Sequence, residues 1–295
     1  MNCEVVYNYL ILGASSNIAI EYMAALKGTG DFYGLTTQSN LFGSRNFKKI
    51  ITYDLFYEYV DIKFDRIFIV SSRNPKLEGN LEDYLVVNNT ILNIINSVNF
   101  NYKNKPKITF LSSFSVYDKT ITSINDCSQV APSDFYGEAK VILEEQLRVF
   151  SKKSGINLLI CRLPVLLYSG VSKVSLNFLS RLALEIKSNG TFPLTNPNSA
   201  LSAVFDIKNL VELDKCVNTH LSVINCASKP DILFKEIGEI ALGLGLSAVD
   251  WRTSNKPSVI VCLSKISKLL GCEPSAKVIV KNWLNAEVDE TLKPN

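Results

Sequence analysis

The sequence predicts an α/β fold, a doubly wound parallel sheet with a smaller C-terminal lobe interleaved with it. Three observations point there. Apolar runs of strand length alternate with amphipathic segments from the N-terminus to about Arg162, the pattern of a parallel sheet covered on both faces. The first such run, Tyr9 to Leu12, turns through Gly13 and small polar residues into a helix-like run, Ile20 to Leu26. Beyond Pro164 the alternation loosens.

Each element has its own signal. The strand–turn–helix at Gly13 leaves backbone N–H groups pointing over a helix N-terminus, where a diphosphate binds. Only one of the usual three glycines is present: Ser16 or Asn17 takes the second place and Ala19 the third. Asn tolerates left-handed backbone and Ala suits close packing of helix on sheet, so the turn reads either as a nucleotide loop or as an ordinary connection. Leu81 to Val98 and Phe135 to Phe150 are the clearest helices, and a strand-like stretch ends at Ser112-Ser113. After Pro164, Val174 to Lys187 reads as a helix, broken by Ser188-Asn-Gly-Thr191, and Pro193 to Ser199 as a turn-rich loop. Ser202 to Ile207 and Ser222 to Cys226 read as short strands returning to the sheet. The tail from Pro230 carries two or three short helices separated at Lys256-Pro257 and Glu273-Pro274.

Composition narrows the setting. At 295 residues the chain is long enough for a full core, and a net charge of +3 with scattered Lys and Arg gives no basic stripe for nucleic acid. The apolar run at Tyr9–Leu12 is too short for a membrane span, and Glu4 argues against a signal peptide, so a cytoplasmic protein without membrane insertion is expected. Seven dispersed cysteines fit reduced thiols. With a single histidine, His220, and no paired cysteine spacing, no metal site is expected; His220 reads as a surface residue closing a helix.

The strongest chemical signal is Tyr136-Gly-Glu-Ala-Lys140. A Tyr and a Lys four apart share one helical face, so the ammonium can favour ionisation of a phenol whose unperturbed pKa is about 10. Alone, such a pair covers a surface, Ser113 satisfies backbone, Asp54 caps a helix and Arg162 is a surface charge. In order along one chain, these segments resemble the extended short-chain dehydrogenase/reductase family, which holds nucleotide-sugar epimerases, dehydratases and ketoreductases. The resemblance runs from Gly13 to about Leu284 and implies a Rossmann-like sheet. Phe32 to Thr36 is similar to the family's second strand, Ile51 to Leu55 to its third, and Asp65 to Ser72 to its fourth. Ser112 to Tyr117 matches its serine strand, and Ser264 to Gly271 its C-terminal helix and glycine stop. Residues 1–165, with return strands near 201–229, would form the dinucleotide-binding domain, and residues 166–295 mainly a substrate-binding lobe.

The resemblance implies Ser113, Tyr136 and Lys140 as catalytic residues: Tyr136 exchanges a proton with a sugar oxygen, Lys140 holds the nicotinamide ribose and tunes Tyr136, and Ser113 orients the same oxygen. It implies cofactor contacts from Gly13, Ser15, Ser16, Asn17, Ile18, Thr36, Arg45, Asp54, Leu55, Ser71, Asn88 and Pro164, beside Tyr136 and Lys140. Phe114 and Ser115 stand where 4,6-dehydratases carry an Asp-Glu pair, so elimination lacks its acid and base. Ketoreduction or 4-epimerisation remains, and Asn177 to Arg181 with Gly190 to Leu194 resembles the branch acting on UDP-linked N-acetylated or 6-deoxy sugars in surface-polysaccharide synthesis. Substrate contacts would come from Ser113, Phe114, Asn177, Arg181 and Arg252, the last two with Lys173 replacing an Arg that the family often has at Ser202; Val165 replaces a family Asn. Thr36-Thr-Gln-Ser-Asn40 and Arg45 offer nothing that repels a 2′-phosphate, so NADP(H) is expected to be preferred, with NAD(H) as the alternative. A nucleotide-sugar substrate and a homodimer are the expected partners. The eroded glycine loop also leaves open a non-catalytic dinucleotide sensor or scaffold.

Overall fold

The computed structural model describes residues 6–37, 47–59, 61–71, 79–167, 178–201, 204–253 and 259–289. The elements in chain order are β1 (Tyr7–Leu12), α1 (Asn17–Ala25), β2 (Gly30–Thr36), β3 (Lys49–Thr52), β4 (Arg66–Ile69), α2 (Leu81–Ser97), β5 (Lys107–Ser113) and β6 (Ser123–Ile124). Then come α3 (Phe135–Ser154), β7 (Asn157–Leu163), β8 (Val165–Leu167), α4 (Phe178–Lys187), β9 (Thr191–Thr195), β10 (Val204–Asp206) and α5 (Ile207–Cys216). The chain closes with β11 (Leu221–Asn225), α6 (Phe234–Gly243), β12 (Ala248–Arg252), β13 (Ile260–Val261), α7 (Ser264–Leu270) and α8 (Ala276–Asp289). It divides into two compact units, one of Met1–Thr120, Cys127–Arg162 and Val211–Ile224, the other of Ile121–Asp126, Leu163–Leu210 and Asn225–Asn295.

The first unit is built on a seven-stranded parallel sheet of order β11-β7-β5-β4-β1-β2-β3. The chain direction across the sheet reverses at β1, between β2 and β4, which is the switch point where doubly wound sheets bind ligands. Alternation along the strands sorts the faces. Leu10, Leu12, Leu35, Ile67, Ile69, Ile108 and Phe110 share one buried cluster with Ile91, Ile94 and Ile95 of α2 and Leu143 and Leu147 of α3. On α1, Tyr22 stacks on Phe68 of β4 with ring centres 3.7 Å apart, so the out-of-phase residue faces the other helix. Tyr22 also donates to buried Asp214 (2.6 Å), which pairs with Lys107 (3.0 Å) and accepts from Thr109. Burial beside that carboxylate pushes the Tyr22 phenol well above its usual pKa, so it stays a donor.

Helix starts follow their caps. Ser16 caps α1 through Ala19 N (3.1 Å), Asn80 and Asp83 form a reciprocal box on α2, and Asp134 caps α3 through Gly137 N (2.8 Å). The third strand ends earlier than the sequence suggests. Tyr53–Tyr59 is a 3₁₀ helix, and Tyr53, Phe56 and Tyr59 at three-residue spacing place one aromatic edge against the sheet core.

The second unit has its own core, in which Leu179, Leu182 and Ile186 of α4 meet Phe192 and Leu194 of β9, Ile237 and Ala241 of α6, and Ile279, Val280 and Trp283 of α8. Two expectations need correcting here. The stretch read as a loop from Pro193 begins inside strand β9, which pairs with β12; Pro193 is tolerated because this is a two-stranded ribbon with unpaired edges. The strand near Ser202–Ile207 does not rejoin the main sheet: β10 pairs with β8 instead. The Leu221–Asn225 strand does join it, as the edge strand beside β7.

Candidate active site

Register aligns the carboxyl ends of the central strands. Leu12 lies opposite Leu35 and Ile69, and Ile69 opposite Phe110, so Gly13, Ser71 and Ser113 leave the sheet along one edge of the first unit.

At the end of β1, Gly13 has φ +92°, and a Cβ there would lie 2.9 Å from the Ser71 backbone nitrogen. Both the left-handed backbone and the close approach require glycine. Gly13 N and Ala14 N donate to Leu35 O (3.0 and 2.9 Å), and Ser16 N returns to Gly13 O (3.0 Å). Among the described residues the N–H groups of Ser15 and Ile18 have no partner. Ser16 Oγ accepts from Ala19 N and keeps its own proton. Unengaged donors at a helix N-terminus fit a diphosphate even without the second and third glycines.

The other expected cofactor residues are placed unevenly. Ser71 follows β4 on the same edge as Gly13, and Asp54 and Leu55 sit in the 3₁₀ helix after β3 rather than on the strand, with Asp54 exposed. Thr36 is buried inside the end of β2, and Thr37 is the first exposed hydroxyl of that turn. The buried Asn88 amide donates to Ala139 O (2.8 Å), so it ties α2 to α3. Pro164 lies between β7 and β8. Arg45, Lys173, Asn177 and Ser202 lie outside the described residues.

The chemistry concentrates where β5 meets α3. Ser113 caps a 3₁₀ turn, Phe114–Val116; its Oγ accepts from Ser115 N (3.1 Å) and donates to Ser115 Oγ (3.2 Å). Tyr136 occupies the first turn of α3, half-buried, with Tyr84 edge-on at 6.2 Å. Lys140 follows one turn later with Nζ 5.6 Å from the Tyr136 ring centre. That ammonium donates to Leu111 O (2.9 Å) and lies 4.7 Å from the Phe110 ring centre, leaving two N–H donors without an acceptor among the described residues. Burial lowers its pKa to about 7, against the upward pull of Glu144.

Gly137 and Glu144, which sequence reasoning did not single out, hold this arrangement together with Arg162. A Cβ on Gly137 would lie 2.0 Å from Ser115 O, so only glycine lets α3 lean against the turn that follows Ser113. Glu144, buried on α3 one turn beyond Lys140, accepts from Ser112 Oγ (2.6 Å), from Arg162 Nε and Nη2 (3.0 and 2.7 Å) and from Arg148 Nη2 (3.2 Å). Arg162 also donates to Tyr117 Oη (2.8 Å). Arg162 is thus a buried tie between β7, α3 and the serine strand, not a surface charge; its guanidinium is held charged above the usual range because the Glu144 and Tyr117 contacts outweigh desolvation. The signal available in the sequence was the four-residue spacing Tyr136, Lys140, Glu144, which puts all three on one helical face.

Phe114 is edge-on to Tyr117 at 6.0 Å. In the second unit, Arg181 is exposed on α4 near the Phe192 ring (5.8 Å), and Arg252 is paired with Asp250 (2.9 Å). Among the described residues no group of three or more His, Cys, Asp or Glu could hold a metal, and no helix is long and apolar enough to cross a membrane.

The fold is shared with proteins of known structure. The chain is similar over 96% of its length to the UDP-glucuronic acid 4-epimerase of Bacillus cereus solved with NAD, at 18% identity, TM-score 0.74 and 96% coverage of that chain. A putative epimerase from Burkholderia cenocepacia superposes with TM-score 0.77 at 14% identity, covering 97% of this chain and 98% of that one. The ADP-L-glycero-D-manno-heptose-6-epimerase of Helicobacter pylori gives 0.76 at 15%, with the same two coverages. Likeness at these identities speaks for the fold. No curated protein matches the sequence. The model of the NAD dependent epimerase/dehydratase family matches residues 11–221, which include the end of β1, the glycine turn, Ser113, Tyr136 and Lys140. The chain belongs to the NAD-dependent epimerase/dehydratase family.

Proposed function

We propose that the chain is a nicotinamide-dinucleotide-dependent oxidoreductase of a nucleotide sugar, with Tyr136, Lys140 and Ser113 as its catalytic residues. The observation that carries this reading is Lys140 one turn below Tyr136 on a helix that Gly137 holds against the Ser113 turn. When bound, the nicotinamide supplies or accepts the hydride. The Tyr136 hydroxyl gives its proton to the sugar carbonyl oxygen in reduction, and its phenolate takes one from the carbinol in oxidation. The ammonium of Lys140 stabilises the phenolate that forms, and its two open N–H donors suit the hydroxyls of a ribose. Ser113 turns its O–H from Ser115 to the same sugar oxygen. The amides of Ser15 and Ile18 and the Ser16 hydroxyl hold the diphosphate, with Asp54 and Leu55 toward the adenine.

Residues 1–165, with the return strand near 201–229, act in this reading as the dinucleotide domain and residues 166–295 as the substrate lobe. Arg181 is the better candidate for a substrate phosphate, since Arg252 is neutralised by Asp250. The net reaction we favour is NADP(H)-preferring reduction of a 4-keto UDP- or dTDP-linked sugar for surface polysaccharide, in the cytoplasm and as a dimer. A loop lacking two glycines holds a dinucleotide less closely and suits exchange at each turnover. The second reading is a 4-epimerase that retains NAD; the fold shared with a UDP-glucuronic acid 4-epimerase over nearly the whole chain favours it.

The test is incubation of the purified protein with NADPH or NADH and a panel of UDP- and dTDP-4-keto sugars, following nicotinamide absorbance, beside UDP-sugars with no nicotinamide added. Stoichiometric NADPH oxidation supports the reductase. Interconversion without added cofactor supports the epimerase, and neither activity over the panel rejects both.

A further inference from the structure

The residue before Asp54 belongs to no dinucleotide motif, yet it reaches the glycine turn. Tyr53 follows β3 and Ser71 follows β4, and the sheet order β4-β1-β2-β3 places two strands between them. The Tyr53 hydroxyl is nevertheless 2.7 Å from Ser71 Oγ and lies beside the Gly13 backbone. The phenol side chain therefore runs across the carboxyl ends of β2 and β1, along the edge where a doubly wound sheet binds its ligand. Gly13 permits this, since its missing Cβ lets the Ser71 backbone close against the turn.

Counting hydrogens shows what the pair can do. Two hydroxyls carry two protons, and the bond between them uses one. Whichever is the donor, the other proton has no acceptor among the described residues. The pair is half-buried at the carboxyl edge of the sheet, so this proton is open to an acceptor that enters there. Burial pushes the Tyr53 phenol up to about 12, so it stays a neutral donor at any physiological pH and does not repel an anion.

We propose that the Tyr53–Ser71 hydroxyl pair forms the floor of the dinucleotide site and donates its spare proton to the cofactor diphosphate, in place of the closer backbone approach that the absent glycines would have allowed. The inference rests on the nicotinamide-dinucleotide reading above. With it, the diphosphate has a side-chain donor between the glycine turn and β4 that Tyr53 and Ser71 form together.

The experiment is calorimetric titration of cofactor-free wild type, Tyr53→Phe, Ser71→Ala and the double variant with NADH, NADPH, ADP and adenosine, with thermal unfolding as the check on folding. A hydrogen bond to a charged group makes the expected loss in the double variant about tenfold for the dinucleotides and for ADP, with adenosine within about twofold. Each single variant keeps one hydroxyl and loses about threefold. Tyr53→Phe keeps the ring's packing and decides the matter if Ser71→Ala does not fold. A folded Tyr53→Phe or double variant that binds ADP as tightly as wild type, or more tightly because the ring obstructs the site, overturns the hydroxyl pair alone. Wild type that binds neither dinucleotide overturns both the pair and the proposed function.

Discussion

Lys140 donates to the carbonyl of Leu111 at 2.9 Å, two residues before Ser113 on the same strand end. One hydrogen bond thus ties the helix that carries Tyr136 to the strand that carries Ser113, and it buries an ammonium that has only part of its solvation replaced. The helix is held at three further points. Asn88 reaches Ala139 from α2, Gly137 rests on Ser115, and Glu144 is gripped by Ser112 and Arg162. Tyr136, Lys140 and Ser113 therefore sit on packed elements, with only their reactive atoms left to adjust.

The buried ammonium makes stability depend on pH in a definite direction. Its pKa is about 7 in the folded chain against 10.5 for a solvated lysine. Between those pH values the unfolded chain holds a proton that the folded chain lacks, so this contribution rises with pH from about 7 toward 10.5 and is lost as pH falls through 7. Urea unfolding of cofactor-free wild type and Lys140→Met from pH 6.5 to 9.5 should show wild type gaining on the variant, by up to about 1.4 kcal/mol per pH unit. A difference that stays flat over this range contradicts the buried-lysine account.

Glu144 acts through its neighbours. Glu144→Gln leaves the buried Arg162 guanidinium without its counter-charge, a change expected to cost about 3–5 kcal/mol. It also removes the one charge that pulls the Lys140 pKa upward. The high-pH limb of kcat/KM should therefore move to lower pH in Glu144→Gln, a displacement that simple loss of packing would not produce. An unmoved limb in a folded variant assigns Glu144 a purely structural role.

Gly137→Ala tests the approach of α3 to the serine turn. A Cβ 2.0 Å from Ser115 O must push the two apart, and overpacking of this kind costs about 1–3 kcal/mol. The expected result is a fall in kcat well beyond the stability loss at assay temperature. Gly155→Ala is the control: it strains a left-handed helix terminus (φ +73°) with nothing within 4 Å, so it should lower the unfolding midpoint and leave kcat unchanged. Equal kcat values in the two variants would contradict the positioning role of Gly137.

What could be read from the sequence followed from strong local periodicity. The strands and helices up to Arg162 carry unbroken apolar runs and capped helix starts, and α2 and α3 begin where expected, at Leu81 and Phe135. Beyond Pro164 the ribbons are two-stranded, and their short, half-exposed strands leave little alternation; β9 carries a proline and β12 an exposed Trp251. The end of β3 was hidden because Tyr53, Phe56 and Tyr59 repeat every three residues, which reads as neither strand nor α-helix. Tyr136 and Lys140 were legible from their spacing. The contacts of Glu144, Tyr117 and Ser112 were not, since they join residues up to 45 apart in the chain, and neither was the bond from the Asn88 amide to α3.

Tyr136→Phe tests the central claim most directly. The substitution keeps the ring against Tyr84 and removes one hydroxyl, so the loss should fall on the rate constant and not on cofactor binding. Assayed with the nucleotide sugar found active in the panel, the variant should lose at least about a hundredfold in kcat, the usual weight of a general acid, with a dinucleotide Kd within about twofold of wild type. Turnover above about a tenth of wild type would contradict the assignment of Tyr136 as the proton-transferring residue.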